Sequence, residues 1–116
     1  MGEKNLLRTG DEFKKALKDA GERLVVVDFY AVWCTPCQKI VPDLKELEKE
    51  YPDVLFYKVN VDENNDTTEY YGVSAMPTFI FFRNEKKLER ITGADVKAVK
   101  DLVKKLVEQP EPTPPA

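Results

Sequence analysis

The chain has 116 residues, 42% of them hydrophobic, with 18 Lys plus Arg against 21 Asp plus Glu and a formal charge of −3. That length supports one hydrophobic core, the acidic balance gives no footprint for nucleic acid, and no apolar run approaches the roughly 20 residues of a membrane-spanning helix. With no histidine anywhere, Ser-His-Asp catalysis, Cys-His catalysis and the mixed Cys/His zinc sets are excluded.

The opening stretch, MGEKNLLRTGDEF, lacks the apolar segment of a secretory signal, so a cytoplasmic location is the expectation. Residues 5–7 suit a short first strand. Thr9 and Glu12 are spaced as a capping box, with Thr9 as cap and Glu12 reaching back. Phe13, Ala16, Leu17 and Ala20 then recur at helical spacing until Gly21. LVVVDFY (24–30) is β-branched and almost continuously apolar, the pattern of a strand covered on both faces. Residues 36–51 read as one helix with Ile40, Leu44 and Leu47 on its apolar side, kinked by Pro42. VLFYKVNV (54–61) is expected to be a second buried strand, and residues 66–71 a short helix ended by Gly72. Residues 78–82 and 88–91 flank the turn Asn84-Glu85-Lys86 as a hairpin. A last helix over 95–107 turns Val96, Val99, Leu102, Val103 and Leu106 inward and carries Lys104 and Lys105 near its C-terminus. This order predicts an α/β fold with a mixed central sheet of about five strands and helices on both faces. The domain spans 1–108, and the Pro-rich 109–116 is a disordered or polyproline tail.

The two cysteines lie in AVWCTPCQ, where a strand gives way to a helix. At the mouth of a helix, unpaired N–H groups and the positive end of the dipole favour a thiolate on Cys34. Cys37 is one turn further on, close enough for a disulfide with Cys34, and Pro36 stands where proline is preorganised for a helix start. An attacking sulfur with a resolving sulfur one turn away is what thiol–disulfide exchange requires, because the mixed disulfide must be released by a second thiol. Two thiolates alone cannot close a tetrahedral metal site within one chain, so a metal would have to be shared between two molecules. Asp28 interrupts an apolar strand, and desolvation there raises a carboxyl pKa. Lys58 is equally out of place among Phe56, Tyr57 and Val59, and either snorkels to solvent or faces Asp28.

Strand, Trp33, Cys34, Pro36, Cys37 and helix come in order, followed by Met76-Pro77-Thr78. From about residue 5 to 106 the chain resembles the thioredoxin family, through LVVVDFYAVWCTPC, YKVNVDEN, YGVSAMPTFIFF and ITGA. The resemblance implies a thioredoxin fold and a protein-disulfide reductase that transfers electrons by dithiol–disulfide exchange. Cys34 is then the nucleophile and Cys37 the resolving thiol, with Asp28 as proton acceptor near Cys37 and Lys58 moderating the charge of Asp28. Trp33, Met76, Pro77, Gly93 and Ala94 become the client-binding rim. A generic X–Pro bond is cis in only about 5–6% of cases. The resemblance nonetheless implies a cis Pro77 and strand-like pairing of a client with the backbone before it.

The same resemblance implies no bound cofactor, reducing equivalents from NADPH through a flavoprotein thioredoxin reductase, disulfide-containing client proteins as partners, and a monomer. One departure is Thr35 where the family commonly has glycine. Thr35 is β-branched and stiff, and with Pro36 it tunes the reduction potential. Three alternatives stand beside the reductase: a redox-independent binding module, a more oxidising isomerase-like protein tuned by Thr35, and a dimer bridged by metal through Cys34 and Cys37.

Overall fold

The computed structural model describes residues 5–109. Its elements run α1 (Gly10–Ala20), β1 (Val25–Tyr30), α2 (Thr35–Lys39), α3 (Val41–Glu50), β2 (Leu55–Asn60), α4 (Asn65–Tyr70), β3 (Thr78–Arg83), β4 (Lys86–Thr92) and α5 (Val96–Glu108). The sheet has the order β2-β1-β3-β4. β1 runs parallel to β2 and antiparallel to β3, and β3 is antiparallel to β4.

Alternation along β1 divides the core in two. Val25, Val27 and Phe29 pack with Ile80, Phe82 and the buried side of α1, Phe13, Leu17 and Ala20. Val26 faces the other way, onto Phe79 and Phe81 and the apolar sides of α3 and α5, through Leu44, Leu47, Val99, Val103 and Leu106. Helices therefore cover both faces. Phe29, Phe79 and Phe81 are fully buried, and each such ring is worth about 1.5–3 kcal/mol relative to leaving it exposed.

Local chemistry sets the helix ends. The Thr9 hydroxyl accepts from Glu12 N–H at 3.0 Å. The Glu12 carboxylate reaches back to Arg8 N–H at 2.8 Å, one residue before the partner that a capping box uses. Asn64 and Asp95 cap α4 and α5 by accepting from Thr67 N–H and Ala98 N–H.

Four expectations need correction. The helix expected over 36–51 is two helices, not one with a kink. Pro42 has no N–H for the carbonyl of Gln38 and fits only in a first turn, so α2 ends at Lys39 and α3 begins at Val41 after Ile40. Among the described residues the sheet has four strands rather than about five. Residues 5–7 add to the sheet's edge the bridge Leu6↔Lys58 and a hydrogen bond from Leu7 N–H to the Lys58 carbonyl at 2.8 Å, without forming a strand. β2 is in consequence half-buried over Leu55, Phe56, Tyr57 and Lys58 instead of covered throughout. Finally, the hairpin turn has two residues rather than three. Asn84 and Glu85 adopt φ of 52° and 66°, the left-handed geometry that matches strand twist, and β4 starts at Lys86. α5 ends at Glu108, and the expected polyproline tail, apart from Gln109, lies outside the described residues.

Candidate active site

β1 delivers the chain through Ala31, Val32 and Trp33 to the start of α2. Cys34 is the N-cap, with extended backbone at φ −86° and ψ 105°. Its Sγ accepts from the N–H of Cys37 at 3.2 Å. An oxygen of Ser, Thr, Asn or Asp usually fills that role for an N–H that has no helical partner; here a sulfur does. Cys34 and Cys37 are joined in a disulfide with Cα atoms 5.3 Å apart. Both are buried, whereas Thr35 and Pro36 between them are exposed. Since α2 stops at Lys39, the favourable field at Cys34 comes from its first-turn N–H groups and not from a long helix dipole.

The surroundings of Cys34 form one rim. Trp33 is 63% exposed, and its indole N–H donates to Asp62 Oδ2 at 2.9 Å. Asp62 follows β2, and parallel pairing with β1 brings the loops after both strands to the same end of the sheet. From the other side, the Met76 carbonyl oxygen lies 3.6 Å from Cys34 Sγ. The Met76–Pro77 peptide is cis. The Pro77 carbonyl accepts from Gly93 N–H at 2.8 Å, which sets Gly93 and the exposed Ala94 beside it.

Asp28 lies away from this rim, on the α3 side of the sheet. It is 7% exposed, and its Oδ1 is buried with no hydrogen-bond partner. Together with Lys58, Leu44, Lys45, Glu48 and Phe56 it lines a groove of about 430 Å³. Lys58 is its register partner on β2. Desolvation pushes the Asp28 carboxyl up to about 7, and the Lys58 ammonium pulls in the opposite direction. The ammonium of Lys58 also stands 5.5 Å from the centroid of the Tyr30 ring, within reach of a cation–π attraction. Lys58 is half-buried and lines the groove together with Asp28.

Residues 4–108 match the thioredoxin family model. The chain is 50% identical over 102 residues to the thioredoxin of Geodia cydonium, covering 87% of this chain and 96% of that one. It is 43% identical over 96 residues to thioredoxin-1 of Saccharomyces cerevisiae, covering 83% and 91%. The structure superposes on that of Fasciola hepatica thioredoxin with a TM-score of 0.85 at 39% identity, covering 87% of this chain and 97% of that one. The chain belongs to the thioredoxin family.

As a thioredoxin-family member with a Cys34–Cys37 pair, it is a thiol–disulfide oxidoreductase that reduces disulfides in client proteins. Thioredoxins carry no bound cofactor for this exchange, and among the described residues no group of His, Cys, Asp and Glu could hold a metal ion. Sequence reasoning missed several residues whose hydrogen bonds brace the surroundings of Cys34. Asp62 orients Trp33, the Thr78 hydroxyl donates to the Ala75 carbonyl at 2.6 Å, and Gln38 Nε2 donates to the Val32 carbonyl. The signal for Asp62 was its place just past a strand parallel to β1. A polar side chain there falls at the same sheet end as Trp33.

Proposed function

We propose that Cys34 is the attacking thiol, Cys37 the resolving thiol, and Trp33, Met76, Pro77, Gly93 and Ala94 the surface on which clients dock. The observation that carries this is the Cys37 N–H on Cys34 Sγ at 3.2 Å. It favours negative charge on Cys34 in particular. The Cys34 thiolate attacks one sulfur of the client disulfide, forming a mixed disulfide and expelling the other client sulfur as a thiolate. The Cys37 thiolate then attacks Cys34 Sγ, closes the Cys34–Cys37 disulfide and releases the second client sulfur. Two electrons pass to the client, and two protons end on its thiols.

Asp28 receives the Cys37 proton through water. A carboxyl held at about 7 has both forms populated near neutrality, which suits a group that must accept a proton and return it. Lys58 keeps the pKa of Asp28 from rising further. Reduction of the Cys34–Cys37 disulfide falls to an NADPH-dependent flavoprotein reductase, and the cytoplasm, where such a dithiol is kept reduced, is the compartment that fits.

The test is trapping with insulin. Cys37→Ser is expected to accumulate a mixed disulfide through Cys34, and Cys34→Ser to accumulate none; the reverse pattern sinks the assignment. Trp33 fluorescence in thiol/disulfide buffers reads the potential. The reference value for thioredoxin itself is about −270 mV. That value here makes Thr35 a minor substitution, whereas a value near about −180 mV means that Thr35 and Pro36 set a more oxidising couple.

A further inference from the structure

Between α4 and β3 the chain runs through residues 71–77 without helix or strand, and this segment presents Met76 to Cys34. Val73 and Met76 pack against the core on the α1 face, while Gly72, Ser74 and Ala75 offer little side chain, so hydrogen bonds hold the backbone between them. The N–H groups of Gly72 and Val73 donate back to the Glu69 and Thr68 carbonyls, each at 3.0 Å. At its C-terminal end the ties are the Thr78 hydroxyl on the Ala75 carbonyl and the Gly93 N–H on the Pro77 carbonyl. At its N-terminal end the Tyr71 ring is anchored among Phe13, Phe29 and Phe82. The peptides that follow are held from outside the segment by Arg90 on β4. Its Nη2 donates to the Tyr71 carbonyl, and its Nη1 reaches the Gly72 carbonyl at 3.5 Å.

Arg90 is unlike the residues that precede it on β4. Lys86, Lys87, Leu88 and Glu89 are exposed, whereas Arg90 is half-buried. It pairs in register with the core residue Ile80, and so emerges on the sheet face that carries α1. Its Nε is enclosed with no partner. An arginine that only solvated this edge would keep all its donors in water, since enclosing one unpaired is unfavourable. The planar fork of a guanidinium can hold two carbonyls at once, and the carbonyls after a helix have no intrahelical partner.

We infer that Arg90 is a positioning residue for client capture: by clasping the Tyr71 and Gly72 carbonyls it fixes where the Met76 backbone stands relative to Cys34. This rests on the reading of Met76 and Pro77 as part of the docking rim. A polypeptide client must pair with that backbone, whereas a small disulfide needs only access to the sulfur. Arg90 therefore matters to the first and not to the second.

The experiment compares Arg90→Met, Arg90→Lys and Met76→Glu with insulin and with a small aromatic disulfide as substrates. Arg90→Met is expected to raise KM for insulin about tenfold with kcat nearly unchanged, the low end of what one lost charge-assisted hydrogen bond costs, and to leave the small substrate within about twofold. Arg90→Lys, with a cation but no fork, should recover part of the loss. An equal fall with both substrates, or no change with insulin, overturns the role of Arg90. Met76→Glu separates the two levels. If it raises KM for insulin while Arg90→Met does not, only the Arg90 inference fails; if it changes nothing, the docking reading itself fails. Should Arg90→Met not fold, Arg90→Lys carries the same comparison, with an insulin-only rise in KM in support and any other pattern against.

Discussion

Val27 and Asp28 are neighbours on β1, 0% and 7% exposed respectively, yet burial does opposite things to them. Val27 points to the α1 face, where every neighbour on the strand is apolar and removal from water is a direct gain. Asp28 points to the α3 face, beside the Lys58 groove, with one carboxyl oxygen unpartnered. Burial there penalises the charged form and holds a proton near neutrality. One face of the strand supplies stability, and the other gives up stability in return for a titrating group.

The most severe way to break that contrast is on the apolar face. Phe29→Ala leaves a cavity and is expected to cost about 3–5 kcal/mol, equally at pH 5 and pH 8, as read by urea unfolding. A marked pH dependence of that loss would blur the division between the two faces.

On the other face the sign reverses. The folded pKa of Asp28, about 7, lies above its ordinary value of 3.8, so the native state binds the proton more tightly than the unfolded chain. The protonated side chain favours folding below about pH 4, and that advantage disappears as pH rises to about 7, a swing on the order of 4 kcal/mol. Asp28→Asn should remove the swing. Its stability relative to the parent is expected to improve steadily from pH 4 to pH 7.5, while insulin reduction slows by about 100-fold or more, the smaller end of what a lost proton acceptor costs. Unfolding curves across that range check the first outcome and steady-state rates the second. A pH-independent difference would mean that Asp28 is not the group responsible.

The smallest effect sharpens the contrast without removing it. Lys58→Met takes away the opposing ammonium, so the Asp28 pKa should climb further above about 7. The pH–rate profile would shift to the alkaline side by the same amount. An NMR titration of the Asp28 carboxyl measures this directly, and an unchanged midpoint would leave Lys58 with its contact to the Tyr30 ring alone.

Asp28 was conspicuous in the sequence because a carboxylate inside LVVVDFY has no cheap place to go. Cys34 and Cys37 were equally plain, since their spacing and the helix start are local. Asp62 and Arg90 were not. Their partners are 29 and 19 residues away, and until the strands beside them are paired a turn acid or an edge-strand arginine reads as an ordinary solvated charge. Pro42 was visible but its effect was misjudged. A proline that removes one helical hydrogen bond can bend a helix or divide it, and here it divides α2 from α3.

By itself the sequence determined what depends on neighbours along the chain. Thr9 begins α1, the apolar run makes β1, and the Cys34–Cys37 spacing allows a disulfide across one turn. Tertiary structure alone decided what stands across a gap: Lys58 opposite Asp28, Asp62 under Trp33, Arg90 on the loop before Met76, and β2 as a half-buried edge. The reason is strand register. Side-chain period along a strand is two, so which remote residues share a face is set only when the strands align.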